Sequence, residues 1–394
     1  MAEWITCKLS ELGEIVGGAT PSTKDETNYG GSISWITPKD LSTHQGRYIA
    51  RGERNITEKG LHSCSTQIMP ANSVLFSSRA PIGYVAIAQN ELCTNQGFKS
   101  IVPNDTTDSM FLYYLLKYNK DAIEAMGSGT TFKEVSGNTM RNIEVRVPRE
   151  LSEQKRIAAA LSALDDKIEN NDRVNNNLQQ QARALYKSWF VDFEPFGGDQ
   201  PSDWQTGLLK DVLKLQKNAI KPGENAKLPY LPIDTIPMNT FALTDVRPNE
   251  EAQSSLLKFS RDDIIIGAMR VYFHRVIIAP FDGITRTTCF VLTPQSPEYL
   301  AYGLLCCDQD SSIDFAQQSS KGSTMPYAVW DGGLGELEIP LPPKQIAEKF
   351  NALVMPMIRE IQKSFFENSA LRELRDALLP RLMSGEIDVS DVQI

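Results

Sequence analysis

Side chains that commonly carry catalysis are few in this 394-residue chain and lie far apart in its sequence. None of the three histidines, His44, His62 and His274, lies near a Gly-x-Ser-x-Gly turn. The six cysteines, at positions 7, 64, 93, 289, 306 and 307, form no Cys-x-x-Cys pair, so zinc-ligand spacing is missing as well. The glycine-rich phosphate loop of nucleoside triphosphatases is also absent. These patterns indicate a binding protein with no catalytic residues and no metal site.

Arginine, lysine and amide side chains offer a different chemistry, which is the recognition of DNA. Arginine and lysine donate to guanine, and asparagine and glutamine pair with adenine. Arg79 and Arg270 end two similar segments, Val74-Leu-Phe-Ser-Ser-Arg79 and Ile264-Ile-Ile-Gly-Ala-Met-Arg270, and this repetition favours a shared role. The alternative for Asn95 and Gln96 is turn chemistry, and for the charged residues a solvated surface. For a chain that binds DNA, as the family resemblance given below implies, the predicted DNA-binding residues are Lys24, Lys39, Arg79, Asn95, Gln96, Lys133, Arg270, Tyr272, His274, Arg275, Arg286 and Lys321.

The overall charge excludes a general polyanion binder. The chain has a net charge of −9, and residues 196–341 alone have 12 basic and 18 acidic groups. Sequence-independent affinity for DNA comes from lysine and arginine that neutralise phosphates, so only local basic surfaces could serve. The longest apolar stretch, residues 264–281, is interrupted by Arg270, His274 and Arg275 and is not expected to span a membrane. Without a signal-peptide pattern at its start, the chain is predicted to be cytoplasmic.

An internal repeat organises the chain. Trp4-Ile-Thr-Cys-Lys-Leu-Ser-Glu-Leu12 recurs as Trp204-Gln-Thr-Gly-Leu-Leu-Lys-Asp-Val212, and Ile143-Glu-Val-Arg-Val-Pro148 recurs as Leu337-Glu-Ile-Pro-Leu-Pro342. Gly129-Thr-Thr-Phe132 recurs as Gly322-Ser-Thr-Met325. Since these matches keep the same order at similar offsets, they indicate a tandem duplication.

Each repeat is predicted to begin with short β-like segments and to end in a long helix. Residues 1–150 and 196–342 are expected to form two mixed domains, and residues 151–195 and 343–394 two long helices. The predicted fold class is therefore α+β. Two mixed α/β domains would be related by a pseudo-twofold axis and separated by an antiparallel coiled coil.

Apolar residues in the two helical regions alternate spacings of three and four, the pattern of a coiled-coil seam. Two asparagines fall on this seam, where a buried amide fixes register at a cost in stability. Because such a stripe cannot stay exposed, we expect the helices to pack on each other; the alternative is that each packs on its own domain. The predicted seam residues are Ile157, Leu161, Leu164, Ile168, Asn171, Asn175, Leu178, Leu185, Trp189, Leu353, Met357, Ile361, Leu371, Leu374 and Leu378.

The arrangement resembles the DNA-specificity (S) subunit of type I restriction-modification systems. Glu153-Gln-Lys-Arg-Ile-Ala158 and Ala184-Leu-Tyr-Lys-Ser-Trp-Phe-Val-Asp-Phe-Glu-Pro195 look like the two ends of that family's central conserved helix. Leu378-Leu-Pro-Arg-Leu-Met-Ser-Gly-Glu-Ile387 looks like its C-terminal conserved segment, and Trp4, Leu9 and Leu12 look like the start of a target recognition domain.

The resemblance implies a DNA-binding protein with no active site of its own. Each target recognition domain would read one half of a bipartite, asymmetric double-stranded DNA sequence, and the helices would set the gap between the halves. Two methyltransferase (M) subunits would dock on the chain and bring S-adenosylmethionine. Restriction (R) subunits would bring ATP and magnesium chemistry, so this chain itself is expected to hold no cofactor.

Two other interpretations remain open from the sequence. One is the specificity subunit of a related system whose methyltransferase and nuclease share one polypeptide. The other is a protein-binding scaffold that holds two copies of a partner other than DNA. Sequence-specific dependence on DNA distinguishes the scaffold, and the identity of the partner distinguishes the fused system.

Overall fold

The computed structural model describes residues 3–44, 46–129, 133–225 and 227–389. By its contacts the chain divides into two compact units: the first combines residues 1–166 with 372–394, and the second comprises residues 167–371. Both units contain sheets and helices, so the fold is α+β as predicted. Thr130, Thr131 and Phe132, which belong to one of the repeat matches, lie outside the described residues.

The first unit contains a five-stranded sheet in the order β2-β9-β6-β7-β4, a three-stranded sheet in the order β5-β3-β8 and the pair β1-β10. Its strands are β1 (Trp4–Lys8), β2 (Gly13–Gly17), β3 (Tyr29–Ile36), β4 (Tyr48–Ile49), β5 (Asn55–Ile56), β6 (Val74–Ser78), β7 (Ile82–Ala88), β8 (Cys93–Thr94), β9 (Lys99–Pro103) and β10 (Glu144–Pro148).

The second unit repeats this topology with β12-β18-β15-β16, β13-β14-β17 and the pair β11-β19. The four-stranded sheet corresponds to β2-β9-β6-β7 strand for strand, which supports the duplication seen in the sequence. Its strands are β11 (Gln205–Leu208), β12 (Leu213–Leu215), β13 (Ala219–Ile220), β14 (Leu256–Phe259), β15 (Ile264–Gly267), β16 (Val276–Ile278), β17 (Gly283–Arg286), β18 (Cys289–Pro294) and β19 (Glu338–Leu341).

Central strands explain why the apolar runs of the sequence are continuous rather than alternating. All five residues of β6 and all four of β15 are buried, because each strand lies between two neighbours and is covered on both faces. In the first unit the covering helix begins at Asp108, whose carboxylate accepts a hydrogen bond from Phe111 N–H at 2.9 Å. These buried strands hold their exposed ends in fixed positions.

Nine short helices and two long ones occur within the described residues. The short ones are α1 (Leu9–Leu12), α2 (Pro38–Thr43), α3 (Glu58–His62), α4 (Ser109–Tyr118), α5 (Lys120–Ala125), α6 (Gly137–Asn142), α8 (Leu209–Val212), α9 (Leu300–Cys307) and α10 (Asp310–Gln318). The long ones, α7 (Leu151–Phe190) and α11 (Lys344–Met383), have 40 residues each, and each contributes to both units.

In the second unit the segments of α7 and α11 run antiparallel. Phe350 near the start of α11 packs against Phe190 at the end of α7, with ring centroids 4.8 Å apart. Earlier in α7, Asn171 donates a hydrogen bond to Asn368 Oδ1 at 2.8 Å. Both amides are buried, so the predicted asparagine at the seam meets a second asparagine that fixes the register.

The first unit shows the same direction of pairing. Ile157 and Leu161 of α7 share a core cluster with Leu382 and Met383 of α11. Arg375 of α11 donates to Asp165 of α7 at 2.6 Å. The prediction that the long helices pack on each other is therefore confirmed within each unit.

Burial supports most of the predicted seam on α7. Ile157, Leu161, Leu164, Ile168, Asn171 and Asn175 are all buried. Leu178, Leu185 and Trp189 are partly buried, while Gln179, Ala182, Tyr186 and Phe190 are buried in their place. The stripe thus moves by one residue after Asn175, because a helix of 3.6 residues per turn drifts against a strict seven-residue repeat.

On α11 the predicted seam is wrong at two positions. Leu353 and Leu374 are 48% and 46% exposed. The buried stripe of the second unit instead passes through Phe350, Val354, Ile358, Ile361, Phe365 and Asn368. Alternating spacings of three and four fit residue 353 or 354 equally well, and only contact with α7 selects the second register. Of the other predicted positions, Ile361 is buried, and Met357, Leu371 and Leu378 are partly buried.

This corrected register can be tested with neighbouring residues of α11. We expect Ile358→Ala to lower the free energy of unfolding by about 2–5 kcal/mol, because it leaves a cavity in a packed core. Leu353→Ala, one and a half turns earlier, should change it by roughly 0.5 kcal/mol. Urea unfolding followed by circular dichroism measures both. Equal losses for the two variants would contradict the register.

Candidate nucleic-acid interface

In the first unit two segments meet at the end of strand β6. Ser78, the last residue of the strand, donates its backbone N–H to Gly97 O at 2.7 Å, and its carbonyl accepts from Val135 N–H at 3.0 Å. Arg79 follows directly, and its backbone forms an isolated antiparallel β-bridge with Glu134. The strand end therefore brings together four residues that the sequence predicted to bind DNA: Arg79, Asn95, Gln96 and Lys133.

This strand-end surface has more positive than negative charge. Arg79 Nη1 lies 3.5 Å from a carboxylate oxygen of Glu134, and Lys99 Nζ lies 3.4 Å from the other. Lys133 is exposed beside them. Three cations around one carboxylate leave donors available for a negatively charged or acceptor-rich ligand. Sequence analysis missed Lys99, since its position at the start of β9 gave no loop signal.

Asn95 and Gln96 differ in what they can offer. Asn95 Oδ1 accepts from Gly97 N–H at 2.8 Å, which is the turn chemistry considered as an alternative. Gln96 is exposed, and its Oε1 accepts a hydrogen bond from the Thr20 hydroxyl. Asn95 therefore shapes the loop, and Gln96 is the amide that faces outward.

The second unit builds the same junction at the end of β15. Ala268 N–H donates to Thr288 O at 2.9 Å, and Ala268 O accepts from Ala328 N–H at 2.8 Å. Ala268 thus makes the same backbone hydrogen bonds as Ser78. The next residue, Met269, corresponds to Arg79, because its backbone forms an isolated β-bridge with Tyr327 as that of Arg79 does with Glu134.

Hydrogen-bond register therefore corrects the predicted equivalence of Arg79 and Arg270. Arg270 corresponds instead to Ala80, and both have left-handed backbone conformations, with φ of 50° and 51°. No extra residue lies inside the strand: counted back from Ala268 and Ser78, Ile264 aligns with Val74, and these two residues pair with Ile278 and Ile87 of the following strands. The two arginines still lie at the same strand-end junction, one position apart.

Four predicted residues of the second unit are exposed: Arg270, Tyr272, Arg286 and Lys321. Arg270 donates its backbone N–H to Pro326 O at 2.8 Å, which ties it to the segment that also contains Lys321. Within the described ranges its guanidinium has no ion pair or hydrogen bond, so all its donors are available. Tyr272 is 46% exposed, with its ring against Phe273.

His274 and Arg275 point into the protein rather than outward. His274 is only 7% exposed, with Nε2 3.1 Å from Asp308 Oδ1 and Nδ1 3.3 Å from Asp310 Oδ1. Arg275 donates to the carbonyls of Ile236 and Asp234. These contacts engage both ring nitrogens of His274 and Nη1 of Arg275, so both residues hold the turn of residues 270–275 in place.

A buried carboxylate connects this turn to α7. Asp308 has a side chain only 1% exposed, and Arg183 donates to it twice, from Nε at 2.6 Å and from Nη2 at 2.8 Å. Gln179, one turn earlier on α7, donates to Asn239 O and accepts from Phe241 N–H. Because a carboxylate loses its hydration on burial, it requires these partners. The turn that ends at His274 is therefore fixed to the helix through Asp308.

Lys24 and Lys39 lie in the first unit, away from the contacts that define the strand-end junction. Lys39 pairs with Glu53 at 2.7 Å, and both side chains are well exposed. Lys24 is exposed beside Asp25, whose pKa is lowered to about 2 by hydrogen bonds from Lys59 and Thr27. The structure thus does not bring these two lysines together with Arg79.

The residues that the structure describes contain neither a metal-binding cluster nor a membrane-spanning helix. Among them, no three histidine, cysteine or acidic side chains are grouped so that they could hold a metal ion. No helix in the same ranges is long and apolar enough to cross a bilayer.

Comparison with known proteins identifies the fold just described. A family model for the type I restriction modification DNA specificity domain matches residues 1–180 and again residues 201–364. The chain belongs to this family. Two successive matches confirm the predicted tandem repeat. Members of the family are the non-catalytic specificity subunits of type I systems, which agrees with the prediction that this chain is not an enzyme.

Individual specificity subunits resemble the chain over different extents. The type I restriction enzyme MjaIX specificity subunit of Methanocaldococcus jannaschii is 35% identical over 99% of this chain and 95% of its own length. The HindI specificity subunit of Haemophilus influenzae is 29% identical over 42% of this chain and 38% of its own. The crystal structure of a type I S subunit from M. genitalium shares the fold, with a TM-score of 0.63 and 18% identity over 97% of this chain and 96% of that one.

The connection between α7 and the turn of residues 270–275 leads to a prediction about stability. Arg183→Ala should lower the free energy of unfolding by about 2–4 kcal/mol, because Asp308 would stay buried without its bidentate partner. Lys187→Ala, one turn later on α7, removes an exposed pair with Asp192 and should cost less than about 1 kcal/mol. Chemical unfolding of both variants makes the comparison, and losses of similar size would show that Asp308 does not depend on Arg183.

Proposed function

We propose that this specificity subunit reads a bipartite, asymmetric double-stranded DNA target, one half with each repeat. The domains predicted at residues 1–150 and 196–342 would each contact one half-site. The observation that carries the proposal is the duplicated strand-end junction. In both repeats a buried strand ends at two loops, and an arginine with donors facing outward follows the strand.

The charge distribution favours contacts with base edges over contacts with phosphates. Residues 196–341 have six more acidic than basic groups, so the second repeat as a whole would repel a phosphate backbone. Arg270 and Arg286 nevertheless offer planar donor groups that suit guanine, and Gln96 of the first repeat offers an amide that suits adenine. Much of the phosphate affinity would then come from the catalytic partners.

The two long helices would set the gap between the half-sites. Each has 40 residues, which corresponds to about 60 Å at 1.5 Å per residue. At 3.4 Å per base pair this length limits the unread gap to roughly 17 base pairs. The regions predicted as spacers, residues 151–195 and 343–394, contain these helices.

The same helices offer apolar surface for methyltransferase subunits. Four residues outside the helix seam are well exposed, although they are apolar: Val174, Leu353, Phe366 and Leu374. A partner that packs along the helices would cover these side chains. Two M subunits, one per repeat, would bind S-adenosylmethionine, and R subunits would bind ATP and magnesium. This chain would contribute no cofactor ligand.

The two alternatives lead to different partners. A specificity subunit of a fused system would bind a single polypeptide that contains both the methyltransferase and the nuclease. A scaffold without DNA would use the exposed helix residues but would need no arginines at the strand ends. The duplicated junction therefore favours a reader of DNA.

Methylome mapping tests the proposal directly. The chain is expressed together with its methyltransferase subunit, and methylated adenines are mapped in cells with and without the chain. We expect a split motif that appears only when the chain is present. A folded complex that contains an active methyltransferase but produces no new motif would overturn the proposal and favour the scaffold.

Substitution of the strand-end arginines assigns each repeat to a half-site. Arg270→Ala should cost about 1–3 kcal/mol in binding of the cognate site and relax one position in one half of the motif. Arg79→Ala should do the same in the other half. The control is Lys214→Ala, which removes an exposed cation of strand β12 outside the junction. Methylomes of the three variants give the result, and an unchanged motif and affinity for Arg270→Ala would remove that residue from the interface.

A further inference from the structure

A polar groove of about 430 Å³ lies in the first unit, apart from the residues assigned to the strand-end junction. It is formed by the start of strand β3 and by the loop that precedes β5. Tyr29, Arg51, Arg54 and Asn55 line it, together with Glu26 and Glu53. Tyr29, the first residue of β3, contributes an aromatic ring, and the other five side chains are polar or charged.

Arg54 lies over the face of an aromatic ring. Its guanidinium carbon lies 4.0 Å from the centroid of Tyr29. The Tyr29 hydroxyl donates to Pro21 O at 2.7 Å, and the Tyr29 ring packs edge-on against Trp35. The ring therefore cannot turn away easily, and the arginine stacked on it is oriented before any ligand arrives.

The loop that contains both arginines is also fixed. Asp40 Oδ1 accepts from Glu53 N–H at 2.7 Å, and its other oxygen accepts from Thr37 N–H at 2.7 Å. Gly52 allows this close approach, since a Cβ at that position would lie 2.7 Å from Trp35 O and 3.0 Å from Asp40 Oδ2. Such a loop presents its side chains at low entropic cost on binding.

Charge pairing leaves the two arginines available. Glu53 is neutralised by Lys39, as described above, and neither Arg51 nor Arg54 has an acidic partner or a hydrogen bond among the described residues. Asn55 adds an acceptor that lacks a donor: its Oδ1 is buried and makes no hydrogen bond within those ranges. Because this oxygen has no accessible surface, it is not a contact point for a ligand in the groove, and the accessible groups are the two arginines and Glu26.

We propose that the groove of Tyr29 and Arg54 reads a guanine–cytosine pair in the half-site of the first repeat. Arg54 would donate two parallel hydrogen bonds to guanine O6 and N7. The exposed carboxylate of Glu26, an acceptor of the groove, would suit the amino group of the paired cytosine. This inference rests on the proposed function, because it assumes that the first repeat reads DNA.

A base edge fits the groove better than a phosphate does. Glu26 lines it as well as the arginines, and a carboxylate beside a phosphate would repel it. The same carboxylate is an acceptor for cytosine, so the mixture of donors and acceptors matches a base pair. A lone phosphate site would be expected to contain cations and backbone N–H groups only.

The test compares methylomes of the complex that contains wild-type chain, Arg54→Ala, Arg54→Lys or Arg141→Ala. Arg141 is an exposed arginine of α6 in the same unit that does not line the groove. We expect Arg54→Ala to relax one guanine of a single half-site and to lower methylation of the cognate site about tenfold or more. Arg54→Lys should not restore the preference, because an ammonium lacks the planar fork.

Other outcomes separate this inference from the proposed function. A wild-type complex without any split motif would overturn both. A split motif that Arg54→Ala leaves unchanged, at the rate seen with Arg141→Ala, would overturn only the groove assignment. A third outcome is an equal loss of methylation at all sites, together with a slope of log binding constant against log salt concentration that is smaller by about one. This outcome would mean that Arg54 contacts a phosphate, and it would also overturn the base-reading assignment. Since Arg54 is exposed, thermal melts of its variants should match that of the control.

Discussion

Two apolar stripes that must be covered constrain this structure more than any single site. Each long helix has 40 residues, and its seam contains large buried side chains such as Leu161 of α7 and Phe350 of α11. A helix of this kind is unstable in water unless its apolar face is packed, and within each unit the other long helix provides part of that packing. The Asn171–Asn368 pair costs stability in this seam but excludes registers that would place one amide against an apolar side chain.

The same helices are joined to the domains by buried charges rather than by apolar contacts alone. In the first unit, Asp165 of α7 accepts from Tyr114 at 2.6 Å and from Arg375 at 2.6 Å. Burial, together with the nearby carboxylate, raises the pKa of Tyr114 well above its usual range, so the phenol stays a donor. In the second unit, Arg183 and Asp308 form the corresponding attachment. Such bonds add geometric precision, because a carboxylate accepts in few directions, whereas apolar surfaces can slide.

Regular patterns in the sequence predicted the duplication and the two long helices. Irregular segments gave no comparable pattern, so the positions of several site residues could not be predicted. The duplication and the two helices follow from spacing that repeats over many residues, and Ile157, Leu161 and Leu164 are buried as expected. The placement of Leu353 is wrong because Val354 fits the same spacing and the packing selects Val354; the placement of Leu374 is wrong because its neighbour Arg375 turns inward to pair with Asp165 of α7. His274 was predicted to face DNA, although its buried position between two aspartates depends on residues more than 30 positions away. Arg54 was not among the predicted sites, since a stack on Tyr29 leaves no periodic signal.

The loops at the strand ends combine a fixed backbone with side chains that differ between the repeats. A surface that reads DNA has to hold its donors still, yet the bases it reads must be able to change without loss of the fold. Here the fixed part is backbone: Ser78 and Ala268 make equivalent hydrogen bonds in the two units whatever the neighbouring side chains are. The residues that follow differ, with Arg79 and Ala80 in one repeat and Met269 and Arg270 in the other. One framework can therefore present different donors in each repeat, as the proposed asymmetric target would require of a protein built by duplication.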